Sequence, residues 1–303
     1  MNKTSLVLTL SLAFAPPALA NIDIQFDYTY DTGNFFSSNA GSISALESAA
    51  SIFESRFSDN LSAISSSGLN SFDSVFFNPS DPFGSNITLS NQSFATDVIR
   101  IYVGGANLGI NTLGLGGPGG FGCSGISSFC SDAERRGQGV TSGANPVDVA
   151  PWGGAISFDN ANTNWSFGTS TNGLTSSQFD FYSVAVHELG HVLGFGTSDS
   201  FNALVNGFNF VGQTSGAVML DTDQSHWADG TVSISTFNGL FQEAAMTPSL
   251  TNGERKNFTD LDFSAMNDIG WQVTPVPEAD TWAMLLAGLG MVGFMRYRRT
   301  RAV

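Results

Sequence analysis

Three histidines are all that the 303 residues contain, and their placement restricts the fold more than any other feature of the chain. His187 and His191 bracket a glutamate in the run His187-Glu188-Leu189-Gly190-His191. On a helix, residues four apart lie one above the other, so both imidazoles leave one face and can reach a single ion. Catalytic zinc takes three protein ligands and keeps a fourth position open. A fold built around this run must therefore carry a third ligand back to the same helix face. His226, 35 residues beyond His191, is the remaining histidine.

The flanking residues predict the helix. Ser177 and Asp180 form an S-x-x-D start signal, and Tyr182, Val186, Leu189 and Leu193 recur at helical spacing as a buried stripe. Gly194 and Gly196 mark its end. Glu188 is placed to polarise a metal-bound water rather than to bind the metal. Asp199, Asp221 and Asp223 lie between the second and third histidines and are rival ligands or calcium-site candidates. Imidazole suits zinc better than a lone carboxylate, which favours His226.

Elsewhere the pattern is mixed. Ile22 to Tyr30 alternates as a strand, Ser42 to Ser58 reads as an amphipathic helix, Asp97 to Gly104 as a second strand and Ala155 to Phe158 as a short third. Gly-, Ser- and Asn-rich residues 104–147 read as extended surface loops. The fold class expected is α+β. Cys123 and Cys130 are the two cysteines, and in an exported chain a local disulfide is their default.

Both ends carry addresses. Lys3, an apolar centre from Leu6 to Phe14 and Ala18-Leu19-Ala20 form a secretory signal peptide over residues 1–20, so the chain is read as exported. At the other end Pro275-Val276-Pro277-Glu278 leads to Trp282, an apolar run from Ala283 to Met295, and Arg296, Arg298, Arg299 and Arg301. That run makes about 20 Å of helix, a marginal transmembrane helix with help from Trp282 and snorkelling arginines. The chain has 11 Lys+Arg against 26 Asp+Glu. Both ends are basic on balance, so the body between them is more acidic still. Nucleic acid is a poor partner for such a body, and membrane contact is expected only through the C-terminal segment.

Two resemblances follow from these residues. The helix run, Ser225-His226-Trp227, then Ala245-Met246-Thr247-Pro248, then Leu261 to Trp271 resemble the leishmanolysin branch of the metzincins, in which the third histidine is delayed by an insertion. The more compact metzincin spacing would put the third ligand at Thr197, a poor zinc ligand. A thermolysin-like glutamate is not available either, because Glu243, Glu254 and Glu278 lack the aspartate that should follow at the fourth position. The resemblance implies zinc held by His187, His191 and His226, Glu188 as general base, Met246 beneath the metal and Gly194 where the chain turns after the helix. It also implies a twisted mixed sheet with an active-site helix and a mostly irregular C-terminal lobe. An edge strand near Ala155 to Phe158 would hold peptide substrate by strand addition. The tail resembles the PEP-CTERM sorting signal read by an exosortase, its motif standing as Pro277-Glu278-Ala279, with a simple membrane anchor as the plain alternative.

The organisation expected is a leader over 1–20, a metalloprotease domain over 21–275 and a sorting or anchor segment over 276–303. The domain divides into an N-terminal lobe (21–196) and a C-terminal lobe (197–275). The resemblance implies a secreted or cell-surface zinc endopeptidase acting on protein or peptide substrates, with zinc and possible additional calcium. The alternative from another class is a non-catalytic extracellular matrix or biofilm protein that keeps a vestigial metal site. Pro248 occupies the position where some metzincins place a tyrosine, so any second oxyanion donor must be another group.

Overall fold

A computed structural model describes residues 22–126, 128–161, 163–274 and 288–290. The leader at 1–20 and nearly all of the 276–303 tail lie outside these described residues. Among the described residues no helix is long and apolar enough to cross a membrane.

The N-terminal half runs β1 (Asp23–Asp27), α1 (Phe35–Ser38), α2 (Ser42–Glu54), β2 (Ser71–Phe76), β3 (Ile87–Leu89), β4 (Val98–Ala106), β5 (Gly114–Pro118), β6 (Gly120–Ser124), α3 (Phe129–Arg135) and β7 (Gly153–Asp159). Two short paired strands, β8 (Trp165–Ser166) and β9 (Phe179–Asp180), lead into α4 (Phe181–Val192). The C-terminal half holds α5 (Asp199–Ala203), β10 (Val205–Asn206), β11 (Asn209–Gly212), β12 (Gly216–Met219), β13 (Val232–Ile234), β14 (Phe241–Glu243) and α6 (Asp260–Asp268).

The central sheet has the order β1-β4-β7-β5, with β1, β4 and β7 parallel and β5 antiparallel to β7. Side chains alternate across β4 and β7 and bury both faces. Ile99, Ile101, Val103, Ile156 and Phe158 pack with the two long helices, while Tyr102 and Ala155 join Phe72, Phe76 and Trp152 under the three-stranded sheet β3-β2-β6. Covered on both sides and flanked by β4 and β5, β7 is buried at every residue. The protein is thus a mixed α/β molecule with open sheets.

Several expectations need correction. The strand at Ala155 to Phe158 is real but interior; the free edge belongs to β5, whose Gly114-Leu115-Gly116-Gly117-Pro118 has almost no strand-forming side chains and so carries the pattern of a loop. Residues 104–147 therefore hold β5, β6 and α3 as well as loop. The first strand ends at Asp27 rather than Tyr30, because the chain turns there and the Asp31 N–H bonds to the Tyr28 carbonyl. The first long helix stops at Glu54, short of Ser58. The C-terminal lobe is less irregular than expected, with two small antiparallel sheets and a capped helix. Cys123 on β6 and Cys130 on α3 are joined by a disulfide, with their Cα atoms 5.7 Å apart.

Candidate metal centre and cleft

The candidate site is assembled on α4. Asp180 itself is the N-cap, its carboxylate accepting the Ser183 N–H at 3.1 Å, so the S-x-x-D reading with Ser177 as cap is corrected. Arg255 secures the same carboxylate from the C-terminal lobe with two bonds of 2.9 and 2.7 Å. Tyr182, Val186, Leu189 and Leu193 are buried, as the periodicity requires of an inward stripe. Gly194, at φ 110, turns the chain out of the helix and brings the Phe195 carbonyl back to the Nδ1–H of His191 at 2.9 Å.

His187, His191 and His226 come together. Their Nε2 atoms form a triangle with sides of 3.0, 3.0 and 3.1 Å. Each ring is oriented through its other nitrogen: Nδ1 of His187 faces the Ala245 carbonyl at 2.7 Å, and Nδ1 of His226 faces the Asp223 carboxylate at 2.6 Å. An acceptor at each Nδ1 places the proton there and leaves three Nε2 lone pairs aimed at one another. Burial, reinforced by the neighbouring imidazoles, holds His187 well below its ordinary pKa and lowers His191 to about 4. Three neutral rings with converging lone pairs repel unless a cation lies among them. The donor set therefore fits a zinc ion: all nitrogen, three in number, each with a fixed tautomer. Among the described residues this is the one group of three or more His, Cys, Asp or Glu side chains whose ligand atoms converge.

The third histidine reaches the helix because of Gly196. At φ 69 this glycine passes directly beneath the chain bearing His226, and a Cβ there would lie 2.3 Å from the Ser225 carbonyl oxygen. No other residue type fits that crossing. Thr197, at the compact-spacing position, donates its hydroxyl to the His191 carbonyl at 2.7 Å. Asp199 starts α5, and Asp221 contacts His226 through its backbone N–H at 2.9 Å. Neither joins the converging group.

Met246 is fully buried and packs against the helix at Gly190, where a Cβ would come within 2.6 Å of its sulfur. Its backbone carbonyl accepts the Trp227 N–H at 2.9 Å. Both ends of this turn are governed by Asp262, which no motif singled out. Its carboxylate accepts from the Trp227 indole, the Ala245 N–H and the Met246 N–H while also capping α6 through Thr259. A hydrophobic Trp227 and Trp271 complete the surrounding core.

Glu188 lies between α4 and the edge strand. It is 6 % exposed, and burial pushes its carboxyl up to about 8, offset in part by the Gly116 N–H. Gly114 and Gly116 of β5 face this residue: a Cβ on Gly116 would sit 2.6 Å from the Glu188 carbonyl oxygen. The cleft above has a volume of about 790 Å³, and Leu113, Leu115, Val184 and Leu250 line it together with the histidines. That size suits a segment of polypeptide or a drug-sized ligand.

The matrixin family model matches residues 135–238, a stretch containing all three histidines and Glu188. Matrixins are zinc-dependent peptidases. The PEP-CTERM protein-sorting motif matches residues 275–299, in the tail. No curated protein and no solved structure matches the chain.

Proposed function

We propose that the chain is an exported zinc-dependent endopeptidase, with its metal held by His187, His191 and His226. The observation that carries the reading is the triangle of Nε2 atoms, each ring locked through Nδ1, beside a buried glutamate at the floor of a cleft. The delayed third histidine, rather than a compact spacing, is the leishmanolysin-like element of this reading. Residues 21–275 form the peptidase, divided near residue 196, and the segment from 276 directs sorting or anchoring through exosortase-type machinery.

A zinc ion held by His187, His191 and His226 would supply Lewis acidity, lowering the pKa of water and polarising a carbonyl oxygen. Glu188 is the general base: it accepts a proton from the attacking water and returns one to the leaving amine. The free edge of β5 holds the substrate backbone in extended form by strand pairing, which selects for polypeptide and not for any one sequence. Leu113 and Leu115 supply apolar contacts beside that edge. Met246 and Gly194 support the ligand helix without touching substrate.

The test is zinc content and casein hydrolysis of the purified protein and its Glu188→Ala variant. Both should contain zinc, and only the wild type should cleave. Zinc in both with hydrolysis in neither would leave a non-catalytic matrix or biofilm protein with a vestigial site.

A further inference from the structure

The three imidazoles are oriented by unlike partners. His187 and His191 face main-chain carbonyls, those of Ala245 and Phe195, whereas His226 faces a carboxylate. His226 is also the ligand with the least local support. The other two share α4, while His226 sits on the loop between β12 and β13. That loop is turned by the same aspartate. The Oδ1 atom of Asp223 accepts the Ser225 N–H at 2.8 Å, its Oδ2 atom faces the His226 Nδ1 at 2.6 Å, and Gln224 between them takes a left-handed φ of 60. Asp223 does not belong to the converging group, so it serves the ring and not the ion.

We propose that Asp223 is a positioning residue that sets the zinc affinity of the site, by holding His226 in the Nδ1-protonated form with Nε2 turned toward the other two ligands. The inference rests on the reading of the three histidines as zinc ligands. A carbonyl can orient a ring, but a carboxylate also makes the opposite nitrogen more basic and adds a negative charge beside a dication. Partners of this kind are worth about 10–100-fold in metal affinity. The loop ligand, which loses the most freedom when it is fixed, is the one that has this stronger partner.

Asp223→Asn separates orienting the ring from folding the loop. Asparagine keeps an oxygen for the Ser225 N–H but presents an N–H where His226 needs an acceptor, which disfavours the tautomer with a free Nε2. The full-length protein, stripped of metal, is titrated with zinc against a chelator and melted in the apo state. The expected result is a zinc Kd weakened by about 10–100-fold in Asp223→Asn, with apo melting unchanged. Asp221→Asn, which alters a neighbouring charge without touching the ring, should stay within about twofold of wild type on the same reasoning. A Kd for Asp223→Asn within twofold of wild type overturns the proposal. So does an equal loss in Asp221→Asn, which would make it a generic charge effect, or a fall in apo melting in step with the affinity, which would make Asp223 a loop-folding residue. A wild-type protein that takes up no zinc would instead remove the zinc-site reading beneath it.

Discussion

Asp262 accepts the indole N–H of Trp227 at 2.9 Å in the interior of the C-terminal lobe, one residue from the third histidine. The same carboxylate binds the Ala245 N–H, and the Ala245 carbonyl orients His187. One buried acid thus supports the frames of two of the three proposed ligands.

Replacing Asp262 with alanine should therefore be costly. It orphans the Trp227 indole, the Ala245 N–H and the cap of α6 together, at about 1–3 kcal/mol for each buried donor left unpaired. The expected loss is at least about 3 kcal/mol in chemical denaturation, the sum of the smaller values. Asp262→Asn should lose less, because an acceptor oxygen remains. Equal stability for the alanine variant and wild type would show that these bonds contribute nothing net.

Gly116 should be sensitive for catalysis rather than for metal binding. A methyl group at this position would meet the Glu188 carbonyl oxygen at 2.6 Å and its carboxylate at 3.0 Å. Displacing a reacting group by about 1 Å can cost on the order of 100-fold. Gly116→Ala is expected to lower kcat at least about 10-fold with full zinc content, within that range. Leu115→Ala, on the same strand, should act mainly on KM. Steady-state kinetics with metal analysis checks both, and a Gly116→Ala enzyme with wild-type kcat would remove the strand from Glu188's support.

His226→Ala should weaken zinc binding beyond the 10–100-fold that loss of a mere ligand partner produces, by at least about 100-fold. Asp221→Ala should retain the metal, since its contact with His226 is through the main chain. Zinc stoichiometry after dialysis against a weak chelator distinguishes the two. Retention of zinc by His226→Ala would return the ligand role to one of the aspartates.

Asp59 makes a prediction about pH. It is buried beside the segment that follows α6 and accepts the Gln272 N–H with both oxygens. Burial pushes its carboxyl up to about 6 from 3.8, with Gln272 opposing and Asp148 adding to the rise. The fold therefore prefers the protonated acid. Its stabilising contribution is complete below the ordinary carboxylate value and is lost as pH rises through about 6. Asp59→Asn should raise Tm by about 2–4 °C at pH 8 for each kcal/mol relieved, and by much less at pH 4.5. Melting curves across that range check the sign; an equal shift at both pH values would remove titration as its cause.

What was legible in the sequence follows from which constraints are local. The helix that carries His187 and His191 shows in its apolar period and its terminal glycines, and His226 stands out because histidine is so scarce. Trp227 and Trp271 are buried in the core beside that helix. The edge strand does not show, because Gly114 and Gly116 are set by the approach of Glu188 and not by strand propensity. Asp262 was hidden for a different reason: an acidic residue in the first turn of a helix is ordinary, and only the tertiary structure shows this one buried against Trp227. Asp223 looked like a competitor for the ion, and the structure places it behind the ring.

The close crossing at Gly196 has a consequence for how such chains vary. Ser225 returns to the spot that the chain left at Gly196, so the intervening excursion begins and ends at one point. A segment with pinned ends adds little to the closure cost when it lengthens, about 0.6 kcal/mol for each doubling. Length in this excursion is therefore nearly independent of the metal geometry. Relatives could carry small hairpins or whole inserted domains between the second and third histidines, and the spacing that identifies them in sequence would drift while the centre stayed the same.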